Sequence, residues 1–72
     1  MARQIFVYVN DEPVTVYEGM HVKHALISCD ISLYEAAKNE EIIIEDKNGF
    51  EIGLDGALNE GERIYTRPNI LA

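Results

Sequence analysis

Apolar and polar positions alternate at both ends of the chain and follow a helical period in its middle. In residues 3–9, Arg-Gln-Ile-Phe-Val-Tyr-Val, one face carries Ile5, Val7 and Val9 and the other carries Gln4, Phe6 and Tyr8. That period of two predicts a half-buried strand. Asn10-Asp11-Glu12-Pro13 supplies turn residues, and Pro13, which has no N–H to donate, suits the first position of the next strand. Residues 14–17 alternate again, with Val14 and Val16 inward, so the first third predicts a β-hairpin.

Gly19 marks a change of period. Val22, Ala25, Leu26 and Cys29 recur at i, i+3, i+4 and i+7, the stripe of a helix packed on one side. His21, His24 and Ser28 share another face of it. Asp30-Ile31 interrupts the run. Ser32-Leu-Tyr-Glu35 has the spacing of a capping box, and Ala36-Ala37-Lys38 then favours a short second helix. Residues 41–45, Glu-Ile-Ile-Ile-Glu, predict a short buried strand; Asp46-Lys-Asn-Gly49 predicts a turn, and Phe50-Glu-Ile52 a short return strand. The glycine-rich stretch Gly53–Gly61 places Leu54 and Leu58 inward and launches a last strand over Glu62–Arg67. There Ile64 and Thr66 share one face, and Arg63, Tyr65 and Arg67 the other. Pro68 is expected to end that strand's pairing, which divides the chain into a domain over 1–68 and a flexible tail over 69–72.

The resulting order, β-β-α-(α)-β-β-β, predicts an α+β roll with a mixed sheet of four to five strands, one main helix on one sheet face and a short second helix. The segments that carry this pattern are Ile5–Val16, the helix after Gly19, and Leu54-Asp-Gly-Ala-Leu-Asn-Glu-Gly-Glu-Arg-Ile64. Together they resemble the β-grasp, or ubiquitin-like, superfamily over nearly the whole chain. The last segment looks like the ending of the sulfur carriers ThiS and MoaD and of TGS domains; the first looks like ferredoxin-type modules of redox enzymes. The resemblance implies that the first and last strands lie side by side and parallel at the sheet centre. The chain departs from each of these groups at the residues that carry chemistry. ThiS-like and MoaD-like carriers end in Gly-Gly, whereas this sequence ends Asn69-Ile-Leu-Ala72 and contains no Gly-Gly. Ferredoxin-type modules hold their cluster with four cysteines, and Cys29 is alone.

Composition narrows the function further. Six basic residues face thirteen acidic ones, for a net charge of −7. That balance disfavours nucleic acid and anionic membrane as partners. Eight of the acids lie between Glu40 and Glu62 with Lys47 as the one base among them; they lack the spacing of a calcium loop. A lone cysteine makes no internal disulfide, no apolar run reaches membrane-spanning length, and Met-Ala-Arg-Gln-Ile lacks a signal-peptide core. A cytoplasmic location is therefore expected. No motif assigns a catalytic residue, cofactor or metal: His21 and His24 want a third ligand, and Cys29, on the apolar stripe, reads as a small buried hydrophobe.

The helix-free sheet face holds the remaining candidate. Phe6 and Tyr8 from the first strand are expected beside Arg63, Tyr65 and Arg67 from the last, with Tyr17 and Ile43 extending the surface. Aromatics with arginines have the composition of a protein-binding hot spot. The expected function is a non-catalytic module binding a partner protein through this face. The alternative that the resemblance leaves open is a sulfur-carrier or cofactor-biosynthesis protein, or a cluster-less ferredoxin-type module.

Overall fold

The computed structural model describes residues 3–70. Five strands and two helices follow one another as β1 (Gln4–Val9), β2 (Glu12–Tyr17), α1 (Val22–Cys29), α2 (Ile31–Lys38), β3 (Ile42–Asp46), β4 (Glu51–Ile52) and β5 (Arg63–Pro68). The strands form one mixed sheet in the order β2-β1-β5-β3-β4, so the chain is an α+β protein in which the last strand of the sequence is the middle strand of the sheet. β1 and β5 are parallel, with Tyr8 beside Arg63 and Val9 beside Ile64; the other pairings are antiparallel.

One face of the sheet supplies Ile5, Val7, Val9, Val14, Val16, Ile44 and Ile64 to a core that α1 closes with Val22, Ala25 and Leu26 and the glycine-rich stretch plugs with Leu58. The period-two and helical patterns therefore meet on one set of buried residues. Leu54 is only half-buried. The stretch that carries these leucines is fastened to the start of α1, where Val22 N–H donates to Gly56 and Lys23 N–H to Leu54, both at 2.9 Å. Gly56 needs its lack of side chain there: a Cβ would lie 3.1 Å from the Gly53 carbonyl and 3.4 Å from Val22. Gly61 takes a φ of +79°, a region costly for other residues, as the chain turns into β5.

Local chemistry departs from the sequence pattern at several points. The hairpin turn is only two residues long. Asn10 and Asp11 both have positive φ, 52° and 69°, as a type I′ turn requires, and β2 starts at Glu12, one residue before the expected Pro13. α2 is capped not by Ser32 but by Asp30, whose Oδ1 accepts from the Ser32 N–H at 3.0 Å and the Ser32 hydroxyl at 2.8 Å. A carboxylate two residues upstream outcompetes the hydroxyl because a charged acceptor makes the stronger cap. β3 buries only Ile44 fully; its other residues are half-buried. Pro68 does not end the pairing. It is the last residue of β5, opposite Ile42, and Asn69 continues beyond it, its N–H donating to Glu41 at 3.0 Å and its side-chain amide to the Glu40 carbonyl at 2.9 Å. Pro68 fits because its missing N–H falls at a non-hydrogen-bonded position of the ladder, between bonded pairs. Asn69, expected in a flexible tail, is thus tied to the sheet; Leu71 and Ala72 lie outside the described residues.

The cap at Asp30 has a pH signature. Its bonds from the Ser32 hydroxyl and N–H hold the Asp30 carboxyl below the ordinary aspartate value. A carboxylate whose folded value is depressed adds stability that is complete above its unfolded value, about 3.9, and is lost as pH falls through the folded value. Asp30→Asn, which keeps a capping oxygen but cannot titrate, should therefore show a shallower fall of Tm below about pH 4 than the parent. Parallel acid limbs in thermal melts from pH 2 to 6 would contradict this role.

Candidate functional site

Cross-strand partners share a sheet face, so the register defines the helix-free surface. β2 contributes Pro13, Thr15 and Tyr17; β1 contributes Gln4, Phe6 and Tyr8; β5 contributes Arg63, Tyr65 and Arg67; β3 contributes Ile43 and Glu45. All five expected residues, together with Tyr17 and Ile43, lie on this face.

They do not form one contiguous stripe. Tyr8 and Arg63 are true neighbours, with the guanidinium carbon 4.3 Å from the centre of the Tyr8 ring, a cation–π contact. Asp11, from the hairpin turn, fixes this group: its Oδ1 accepts from Arg63 Nη1 at 3.2 Å and from the Tyr65 hydroxyl at 3.1 Å. Arg67 belongs to the far end of the face. It lies opposite Ile43 and donates from Nε to Glu45 Oε1 at 2.9 Å. Phe6 lies at the opposite end. Two residues before Tyr8 in a parallel pair, it stands roughly 20 Å along the strand direction from Arg67 at ~3.3 Å per residue.

β5 does not reach Phe6, and the loop before it takes over the pairing. Phe6 N–H donates to the Glu60 carboxylate at 2.6 Å, Gly61 N–H donates back to the Phe6 carbonyl at 2.7 Å, and Tyr8 N–H donates to Glu62 at 2.9 Å. The Phe6 side chain remains 54% exposed and that of Tyr17 43%. Exposed rings on a backbone held this firmly are presented without the entropic cost of ordering a loop.

Asp11, Glu45 and Glu60 were not among the residues expected in the site. Asp11 reads as a turn residue and the glutamates as part of the acidic segment; the parallel β1–β5 register brings Asp11 to Arg63 and Glu60 to Phe6, and the antiparallel β3–β5 register brings Glu45 to Arg67. Their arrival changes the electrostatics, because each arginine of the face has a carboxylate partner. These are exposed pairs that add little stability, but they leave the face without surplus positive charge.

The remaining candidates sit elsewhere. The His21 and His24 rings stack with centroids 5.7 Å apart, and His24 Nδ1 accepts the His21 N–H at 2.9 Å, closing the first turn of α1. One ring nitrogen of His24 is thereby committed to the backbone. Among the described residues, no group of three or more His, Cys, Asp or Glu is disposed to hold a metal ion. Cys29 is half-buried rather than buried. Burial pushes its thiol up, and the nearby carboxylates of Glu12 and Asp30 add to the shift, which disfavours the reactive thiolate. Among the described residues no helix is long and apolar enough to cross a membrane.

No protein-family model matches the chain, and no curated protein matches it.

Proposed function

We propose that the chain is a β-grasp module, without catalytic activity of its own, that binds a partner protein through the helix-free sheet face. The strand order β2-β1-β5-β3-β4, with the first and last strands parallel and adjacent, supports the β-grasp reading. The observation that carries the binding reading is the preorganised cluster of Tyr8, Arg63 and Tyr65 around Asp11, with the exposed ring of Phe6 next along β1 and that of Tyr17 further along the same face. Tyrosine and arginine dominate interface energetics when they are held in place before the partner arrives. The paired arginines favour a protein over a polyanion, because they have no positive charge left uncompensated for phosphate.

The test is affinity capture with tagged wild type and with Tyr8→Ala/Tyr65→Ala/Arg67→Ala, read by quantitative mass spectrometry. Proteins retained specifically by the wild type are expected to be depleted at least about tenfold in the variant, the loss of one hot spot or more. Thermal melts establish that both proteins are folded. An unchanged set of retained proteins would remove this face from consideration.

A further inference from the structure

The two edges of the sheet are not equivalent. Residues of β2 that face outward by the antiparallel alternation are Pro13, Thr15 and Tyr17, since Glu18 N–H pairs with Arg3 and fixes the phase. Pro13 has no N–H. Tyr17 is occupied by its own turn, its N–H directed to Met20 Sδ at 3.4 Å and its carbonyl accepting the Met20 N–H at 3.0 Å. Thr15 alone is left with both backbone groups facing outward, and an edge so blunted is a poor template for another strand.

The edge at β3 is built differently. β4 covers only part of it: Ile44 faces Ile52 and Glu45 faces Glu51. The chain then leaves at Gly53, and the Leu54 carbonyl goes to Lys23 in α1 instead of to β3. Asn69 N–H bonded to Glu41 sets the phase on the β5 side, so the N–H and carbonyl of Ile42 point away from β5, toward the uncovered edge. Beside that edge lies a groove of about 170 Å³. Its lining includes the apolar residues Ala37, Ile42, Ile44, Ile52 and Leu54 and the exposed acids Glu40 and Glu51. Glu40, Glu41 and Glu51 form no salt bridge among the described residues; the bases nearest them in sequence are Lys38, at the end of α2, and Lys47, in the turn before β4.

The geometry points to a second binding site, at which an extended peptide segment carrying alternate apolar and basic side chains adds as a strand to the open part of β3. The Ile42 N–H and carbonyl supply backbone bonds, the groove takes one apolar side chain, and the exposed acids select lysine or arginine beside it. These acids also argue for the occupant. A second copy of this chain docking edge to edge would set acid against acid, whereas a basic segment is complementary. Glu40 fits the same picture. It occupies the left-handed position that closes α2, with φ of 63°, while Glu41 N–H reaches back to Ala36 and Glu40 N–H to Ala37. Glycine is favoured at that position, yet the residue present places a carboxylate at the groove.

The probe is an eight-residue peptide alternating isoleucine and lysine, in three forms: as stated, with glutamate for lysine, and with alternate backbone nitrogens methylated. Titrations followed by amide chemical shifts use the full chain. The lysine peptide is expected to move the Ile42 and Leu54 amides and to slow hydrogen exchange at Ile42. The glutamate form should bind about threefold to tenfold more weakly at low salt, with the difference shrinking as salt rises. The methylated form should lose the Ile42 protection. Glu40→Gly is expected to raise Tm by relieving the left-handed glutamate while weakening the lysine peptide, a pairing of effects that a purely structural Glu40 would not give. No shifts at Ile42 and Leu54, equal binding of all three peptides, or a salt-stable dimer through this edge overturns the proposal. So do shifts confined to Phe6, Tyr8 and Arg63, although those would leave the helix-free face standing as a binding surface.

Discussion

Leu26→Ala should cost about 2–5 kcal/mol, the range for emptying a fully buried leucine site. Leu26 is 0% exposed on α1 and belongs to the same core as Val7, Val9 and Ile64 of the sheet. In a chain of 72 residues the whole folding free energy is about 4–11 kcal/mol at the usual per-residue stability. The substitution therefore removes a large share of what holds the protein together. Core layers in a domain this small have little redundancy. Urea unfolding followed by circular dichroism is expected to show a midpoint far below that of the parent, with Tm lowered by roughly 10 °C or more. Ile27→Ala, one residue along and 41% exposed, should be close to neutral. Equal losses at the two positions would mean that α1 does not pack by the face described.

Asn10→Ala is the second large effect, and it comes from an exposed turn. Asn10 holds a φ of 52°, which asparagine tolerates and alanine does not, at a cost of about 1–2 kcal/mol. Its side chain also joins the hairpin to β5: Oδ1 accepts the Thr66 N–H and Nδ2 donates to Thr66 Oγ1, each at 3.0 Å. Two such bonds add about 1–3 kcal/mol at typical net values. A combined loss of about 2–5 kcal/mol is expected. Asn10→Gly divides the two contributions, because glycine accepts the backbone angle but cannot make the bonds. It should recover part, not all, of the lost stability. If glycine restores parental stability in full, the link to Thr66 has no energetic weight.

The two substitutions show what was legible in the sequence. Leu26 could be read from spacing alone, as could Ile5, Val7, Val9, Val14 and Val16, because alternation and helical period are local properties that burial enforces. The parallel neighbours β1 and β5 were implied by resemblance and are present. Asn10 was legible only as a turn residue; its grip on Thr66 spans 56 positions and depends on a register that no local window contains. Asp11, Glu45 and Glu60 were hidden for the same reason. The cap on α2 was misread because Ser32 and Glu35 match a known spacing, whereas the charged group at Asp30 is the better acceptor. Pro68 was given too much weight: a missing N–H ends pairing only where the ladder calls for a donor.

The placement of β5 has a kinetic consequence. The contacts that join β1 to β5 and the loop before it link segments far apart in sequence, such as Phe6 with Glu60, 54 positions away. Until residues 63–68 arrive, β1–β2 and β3–β4 are separate hairpins with nothing between them. Loop closure over that span comes before any of its rewards, so the chain should fold more slowly than a helical bundle of equal length. During synthesis the inner edge of β1 stays unpaired until the last strand is made. The hairpin that presents Phe6 and Tyr8 is thus also the segment with the longest exposure to mispairing, and Glu60, whose carboxylate covers the Phe6 N–H, is among the first groups that can close it.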